Sequence, residues 1–437
     1  MATITVDQQK LVLNAFAAQF QNNLVSSQTA SWKKYDTELN DRNGLSVAEQ
    51  VGPRYAVTET TNGVADLSGG VQDTVFGSEQ FTVNKTFGSS MGWGDFVKIR
   101  DIGEARESEA LKNAAMNLAE KIDFYVMGVI SDASQHWLGT PANSVSDFGD
   151  VMNAYTRLKR EGVPDSELKA ILTYEDKQAL GDNVVELPGV DTMSASTYRN
   201  GFSGAIGGIP TMFTQHLPFH TTGSRAASGA SVINGANQNV DYKDVAVSTS
   251  PGYYLTQTIA IDGLTGSQTV KKGDVFTIAG VYAYDNRAGQ ALSDLQQFTV
   301  VEDATASTGA IAALRIYPAM IVPGSGSGGD VNVNTAHATV DAAPADNAAI
   351  TWIGTASTAY RPRIMLDKQA IVVNTADLIM PASGTAMRKS LTKVPLSVRM
   401  WQDSDFSTGD HRVRFDVALT ANVRDRRRIA RFNGDGV

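Results

Sequence analysis

No cysteine occurs in this sequence. Disulfide bridges and thiolate-bound zinc are therefore excluded, and robustness has to come from packing and from contacts between copies. Histidine is scarce too, with five residues at positions 136, 216, 220, 337 and 411. Long apolar runs are missing. No stretch of about 18 residues is apolar enough to cross a bilayer, so no membrane partner is expected. The segment Met1-Ala-Thr-Ile-Thr-Val-Asp7 lacks a basic region followed by an apolar one and does not read as a secretory signal. Basic charge is also short: a net charge of −9 argues against a tight nucleic-acid binder, which needs a basic face.

What is present reads as globular. Hydrophobic residues make up 42% and charged residues 19% of 437, too long a chain for one ordinary core, so two or three domains are expected. Near the start, Thr5 and Gln8 fit a capping box, and Leu13, Phe16, Phe20 and Leu24 share one helical face. Ser26 to Asn43 is polar and reads as a linker. Two readings stay open for this helix: an arm that docks on a neighbour, or a helix folded back on its own core. Gln80 to Phe87 alternates in the strand manner, with Phe81, Val83 and Lys85 on one face. Gly88 to Gly94 is turn-rich and Phe96 to Ile99 is extended again, which predicts a long hairpin.

The firmest element is a helix from Glu104 to Ser131. Glu104, Glu107 and Glu109 suit the positive end of its dipole, and Leu111, Ala114, Ala115, Leu118, Ile122, Val126 and Val129 form its buried stripe. At about 1.5 Å per residue it spans roughly 40 Å. Gly128 within it reads as a soft point or as a packing position. A second helix is predicted over Asp147 to Glu161, its apolar face formed by Phe148, Val151, Met152, Tyr155 and Leu158, with Gly162 as its stop. A strand over Leu168 to Thr173 and a helix over Tyr174 to Leu180 follow. From Thr221 to Thr358 the runs Tyr253 to Asp262, Val275 to Tyr284, Gln297 to Val301 and Leu314 to Tyr317 predict a small antiparallel barrel or sandwich. Pro323 to Asp330 reads as a flexible glycine-serine loop. Structured character returns at Arg363 to Val373, so the β-rich block reads as an insertion in an α+β host.

Residues that could carry chemistry do not assemble. His216 and His220 are four apart, but Pro218 between them breaks the helix that would bring both to one metal, and loop placement is expected. Ser203 in Gly-Phe-Ser-Gly is one residue short of a nucleophile elbow. The glycine run at 324 to 329 lacks the Lys-Ser/Thr ending of a phosphate loop and is not expected to open a helix. Asp403, Asp405 and Asp410 fit no calcium loop, and the sequon at Asn84 has no meaning without a secretory signal. No catalytic, cofactor-binding or metal-binding residue is assigned, and the chain is not read as an enzyme. Arg424, Arg426, Arg427, Arg428 and Arg431 form a basic cluster with three readings: DNA contacts, pairing with a neighbouring subunit, or a solvated tail. The alternation of Val413, Phe415, Val417 and Leu419 before it favours a strand whose end carries subunit-facing arginines.

Three phrases then align with a known pattern: Phe96-Val-Lys-Ile-Arg-Asp101 leading into the long helix, Gly207-Gly-Ile-Pro210 with Leu217-Pro218, and Val270-Lys-Lys-Gly-Asp-Val-Phe-Thr-Ile-Ala-Gly-Val281 followed by Gln297-Phe-Thr-Val-Val301. Their order resembles the major capsid (coat) proteins of tailed bacteriophages, a fold also found in the floor of herpesvirus capsids. It is most similar to the coat family of short-tailed enterobacterial phages that carry an inserted β-barrel. The resemblance covers nearly the whole chain and implies an α+β capsid fold. Residues 1–54 would be an N-terminal arm, 55–100 an extended loop, and 101–139 the spine helix and peripheral domain. Residues 140–218 and 359–405 would form the axial domain, 219–358 the inserted antiparallel barrel, and 406–437 a strand and arginine-rich end returning to the peripheral domain.

The resemblance further implies a shell subunit that forms hexamers and pentamers of an icosahedral head around double-stranded DNA. Its partners would be copies of itself, a scaffolding protein, a portal, packaged DNA held weakly, and a decoration protein. It would assemble in the host bacterial cytoplasm and end in the virion. A mildly acidic wall suits a container that admits and releases DNA. Lys85, Phe87, Trp93, Arg424, Arg426, Arg427 and Arg428 are the expected subunit contacts. Leu13, Phe16 and Phe20 are the expected inner-face arm that meets the scaffold. One relative cross-links through a lysine of the extended loop; Lys85 lies in that region, but no acidic catalyst or asparagine partner is assigned and the inserted-domain branch is not expected to cross-link. The alternatives are a bacterial nanocompartment shell and a β-rich surface protein that binds glycans.

Overall fold

The computed structural model describes residues 6–34, 46–55, 72–92, 109–165, 167–185, 205–225, 230–248, 250–326, 330–382, 384–404 and 411–436. The chain divides into two compact units. One holds residues 1–47, 81–129 and 371–422, the other residues 48–80, 130–370 and 423–437.

The first unit is a helix-and-sheet layer. Its sheet runs in the order Ser31–Lys34, Ile371–Ala376, His411–Val423, Ser397–Ser404, Thr385–Ser390, with Thr86–Gly92 also laddered along His411–Val423. Phe415 on the long strand stacks face to face on Phe16 of the helix Val6–Asn23, with centroids 3.9 Å apart. Of the two readings for this helix, the structure takes the fold-back one: Leu13, Phe16 and Phe20 are all buried in the chain's own core. The polar stretch expected as a linker is structured where described. Ser26–Thr29 is a helical turn; the amides of Val25 and Ser26 donate to the buried carboxylate of Asp123 at 2.8 and 2.9 Å. Ser31–Lys34 pairs in parallel with Val372 to Thr375.

The expected hairpin is corrected in part. Thr86–Gly92 pairs antiparallel with Arg412 to Ala418, so glycines and serines read as a turn lie in a ladder. The neighbouring strand supplies backbone hydrogen bonds that local turn preference cannot match. Phe96 to Ile99 lies outside the described residues. The long helix is seen over Glu109–Ala133, with Leu111, Ala115, Leu118, Ile122 and Val126 buried as the stripe requires; Glu104 and Glu107 lie outside the described residues. Its last four residues belong to the second unit. Nothing stands within 4 Å of a Cβ added at Gly128, so packing does not require the glycine. Gly128→Ala is accordingly expected to raise stability by about 0.5–1 kcal/mol in denaturant titration. A loss would show that the glycine serves a second conformation.

The second unit carries a seven-stranded sheet and a barrel. The sheet order is His136–Leu138, Ile429–Gly436, Ala359–Asp367, Leu168–Leu172, Ile209–Phe213, Ala205–Ile206, with His220–Thr221 also against Ala359–Asp367. The helix Phe148–Arg160 covers it. Asp147 caps this helix by accepting from the Asp150 amide at 2.9 Å. Gly162 ends it at φ +77°, where the left-handed backbone closes the Val163 amide onto the Leu158 carbonyl. Phe148, expected on the buried face, is exposed; Ala154 joins Val151 and Leu158 instead. Beneath the sheet Arg363 and Asp176 form a fully buried two-point ion pair at 2.6 and 2.7 Å.

The barrel order is Val232–Ile233, Gln257–Asp262, Ile311–Tyr317, Gln290–Val300, Val275–Asp285, Ile350–Trp352. A bridge between Val232 and Ala349 brings the two edges together and closes it. Ile259, Ile261, Phe276, Ile278, Phe298, Leu314, Ile316 and Trp352 fill its interior. The chain enters and leaves at one place, where Thr221 pairs with Ala359 and His220 with Tyr360. The glycine run is followed directly by a helix, Asp330–His337, contrary to expectation. Residues 359–405, expected as one segment, divide: Ala359–Asp367 joins the second unit's sheet, while 371–404 belongs to the first.

Candidate functional site

The barrel is tied to the sheet by a buried polar joint that sequence reasoning missed. Its centre is Asp274, the acid of the Lys-Lys-Gly-Asp turn, which is fully buried. Its carboxylate receives His220 Nε2 at 3.2 Å, the Gly223 amide at 3.1 Å, Arg225 at 2.9 Å and the Lys271 amide at 2.9 Å. Burial works to raise this carboxyl, but the His220 hydrogen bond, the Arg225 guanidinium and the Lys271 amide outweigh it and hold it below the usual range. His220 is pushed below its ordinary value by burial. The loop placement expected for His220 is therefore corrected: it is a buried structural histidine wedged between Asp274 and Asp132, whose Oδ1 is 3.9 Å from Nδ1. Further along, the Gln297 side-chain amide bonds both the amide and the carbonyl of Trp137, at 3.0 and 3.1 Å, in the place of a strand partner. Thr299 donates to the Ser134 and Gln135 carbonyls. The one readable signal was the Gly-Asp turn itself, which marks a carboxylate free to accept neighbouring amides.

The arginine-rich end turns largely inward. Arg427 pairs with Asp425 through two bonds at 3.0 and 3.1 Å, and Arg428 with the buried Asp367 at 2.7 Å. Arg426 is buried, donates to the Gly252 carbonyl at 3.0 Å and lies over the Tyr317 ring. Arg431 is fully buried over Trp137 and donates to the Gly273 carbonyl. Arg426 is thus engaged inside the chain, while Arg427 and Arg428 bond within it and remain about a third exposed. Arg424, about half exposed and 4.0 Å from Glu49, keeps a surface to offer.

Beside Arg426 lies the buried Glu79, which accepts from the Gly252 amide at 2.7 Å. Burial pushes its carboxyl up to about 7 from 4.5, against the pull of that amide and of Arg426. A carboxyl raised in the folded state stabilises fully below pH 4.5, and that contribution is lost as pH rises through 7. The span corresponds to about 3 kcal/mol. Glu79→Gln is expected to stabilise the chain by about 1–3 kcal/mol at pH 8 and to do little at pH 4.5, as read by urea unfolding at both pH values.

Lys85 and Phe87 meet on the first unit. Lys85 Nζ stands 4.5 Å over the Tyr125 ring and Phe87 5.3 Å from it by centroid. With Thr86, Lys121 and Phe124 they line an open cleft of about 450 Å³. Phe124, 46% exposed, was missed by the sequence reading because it falls off the buried stripe of its helix. Trp93 lies outside the described residues. Among the described residues no group of three or more histidine and acidic side chains is placed to hold a metal, and no helix is long and apolar enough to cross a membrane.

The family described as P22 coat protein, gene protein 5, matches residues 1–428. No curated protein sequence matches. Among solved structures, a chain from Mycobacterium phage Che8 is 10% identical, with 89% of this chain and 84% of that one covered and a TM-score of 0.42. The bacteriophage PhiM1 mature capsid is also 10% identical, covering 93% and 86% at a TM-score of 0.41. A virus-like particle from Pyrococcus furiosus is 7% identical, covering 98% and 100% at 0.39. With a barrel inserted in an α+β host and a family match across nearly its whole length, this chain belongs to the P22 coat protein family and is a structural, capsid-forming protein of a bacteriophage.

Proposed function

We propose that the chain is the major capsid subunit of a phage head, forming pentamers and hexamers of an icosahedral shell around double-stranded DNA. A scaffolding protein directs assembly, DNA entry expands the shell, and a portal occupies one vertex. The observation that carries this reading is the family match over residues 1–428. The barrel adds to it: residues 219–358 leave and rejoin the host sheet where His220 and Thr221 pair with Tyr360 and Ala359, as an inserted domain would. In this reading 55–100 is the extended loop, 101–139 the spine, and the cleft around Lys85 and Phe87 receives a neighbouring copy. Arg424, Arg427 and Arg428 keep exposed surface for such a contact. Subunits assemble in the bacterial cytoplasm, and a decoration protein binds the outer face.

Negative-stain electron microscopy of the full chain, expressed with and without its neighbouring genes, tests the reading. Closed shells tens of nanometres across, or tubes and spirals of hexamers, are the expected result. A small monomer under every condition would refute it.

A further inference from the structure

A cavity of about 130 Å³ opens in the second unit. Its wall is built by Val51 to Arg54, the C-terminal end of the helix Phe148–Arg160, the tip of the barrel hairpin and the segment around His337. Arg54, Arg160, Arg287 and Arg427 line it together with the acidic residues Glu161 and Asp285, and Arg54 and Arg287 are solvent-exposed. Most of these charges are already matched. Arg427 is held by Asp425 and Arg160 by Asp294. Glu161 Oε1 stands 3.5 Å from both His136 Nε2 and Arg157 Nη2. Asp285 accepts the Arg287 and Ala288 backbone amides and closes the hairpin turn.

Arg54 and Arg287 are different. Among the described residues neither guanidinium has a hydrogen bond or ion pair. Arg287 is nonetheless seated: its guanidinium lies on Gly162, where an added Cβ would stand 2.3 Å from Cζ. The two groups repel one another across the cavity. Partial burial, Arg427 and Arg287 push the Arg54 guanidinium below its ordinary value, against the smaller opposing pull of Asp425. Burial, Arg54 and Arg427 hold His337 at about 4, so it adds no charge of its own. In the same wall Gln135 is 1% exposed and its Oε1 has no partner. A side-chain amide so placed can turn its NH₂ toward an acceptor.

We propose that this cavity is an anion site that takes a phosphate-type oxyanion between the Arg54 and Arg287 guanidinium groups. Planar forks of this kind match a tetrahedral oxyanion with two parallel donors each. The bound charge offsets the repulsion that the protein alone leaves standing. Free phosphate and the phosphodiester of a nucleic-acid strand present the same chemistry, and the test separates them.

The full-length chain is titrated with inorganic phosphate in one arm and with a short single-stranded oligonucleotide in the other, at constant ionic strength set with chloride. The readouts are the phosphorus-31 linewidth of the probe and the thermal midpoint of the protein. Phosphate stabilises many proteins by exclusion, so the variants carry the decision. The double variant Arg54→Gln with Arg287→Gln is expected to weaken phosphate binding at least tenfold while its midpoint in chloride stays level or rises. Lys112→Gln, removing an exposed cation of the first unit outside the cavity, is expected to leave binding unchanged. If the double variant does not fold, Arg54→Lys serves: it keeps the charge, loses the fork, and is expected to bind several-fold more weakly. Loss of the response to phosphate assigns the site to the free anion. Loss of the response to oligonucleotide alone assigns it to a strand phosphate. Wild-type linewidths in the variants, or no broadening in the unaltered chain, would overturn the proposal.

Discussion

Asp274→Ala is expected to cost about 3–5 kcal/mol, the scale for breaking a buried pair by removing one partner. The carboxylate is fully buried and takes four donors at once: the His220 ring, the Arg225 guanidinium and the amides of Gly223 and Lys271. Removing it strands a guanidinium that is itself almost completely buried. Arg225 keeps its bonds to the Ile353 and Gly354 carbonyls but loses the one ion-pair partner it has among the described residues. Two backbone amides lose their acceptor as well. Denaturant unfolding of the full chain should show a markedly lower midpoint. Asp274→Asn, which keeps shape and one acceptor, is expected to lose less; equal losses would show that charge is not what the joint requires.

The same joint sets a pH dependence. His220 is held below 6.5, so the unfolded chain takes up its proton first, and stability falls as pH drops below about 6.5. Asp274 is also depressed, and its contribution is lost as pH falls further, through and below the ordinary carboxylate range. Asp132, raised by burial, works in the opposite sense. Because Asp274 has the larger set of partners, net acid destabilisation is expected. A pH series on Asp274→Asn should show the lower part of that dependence flattened.

Arg363→Met is the second large effect, again about 3–5 kcal/mol. The guanidinium bonds both oxygens of Asp176, the Thr173 hydroxyl and Asp435. Asp176 is fully buried and also accepts the Val145 and Thr173 amides. Methionine fills much of the volume but leaves the carboxylate without its counter-charge. Adding Asp176→Leu to Arg363→Met is expected to recover part of the loss, since the stranded charge goes with it. The recovery is incomplete because the two amides then lack an acceptor. A double-mutant cycle reads the coupling directly; simple additivity of the two losses would refute a coupled pair.

Much of this protein is written in local patterns. The 3.6-residue stripe of Leu111, Leu118, Ile122 and Val126 makes the long helix, because that spacing alone puts them on one face. Asp147 and Gly162 bound the next helix through bonds to residues three to five away. The β-rich block is equally local in origin, since alternation and turns specify strands before any partner is chosen.

The candidate site was much less legible. Lys85 and Phe87 were named and do meet, but around Tyr125 and Phe124, which the helical stripe gave no reason to choose. The clustered arginines at 424, 426, 427 and 428 read alike in one dimension, yet only the fold provides Asp367, Gly252 and Tyr317 to engage Arg428 and Arg426. Phe16 was apolar on either reading; its stacking on Phe415, some 400 positions away, decided between docking arm and core.

The sequence by itself therefore determined the long helix, the helix Phe148–Arg160, the β character of the inserted block and the absence of thiol chemistry. These depend on spacing and residue type over a turn or two. Tertiary structure alone decided which strand takes up Thr86–Gly92, which way the arginines face, and that Asp274 ties barrel to sheet. Each of those is a choice among partners far apart in sequence. Local propensity differs between them by a few tenths of a kcal/mol, whereas burial of a charge or a strand edge differs by several.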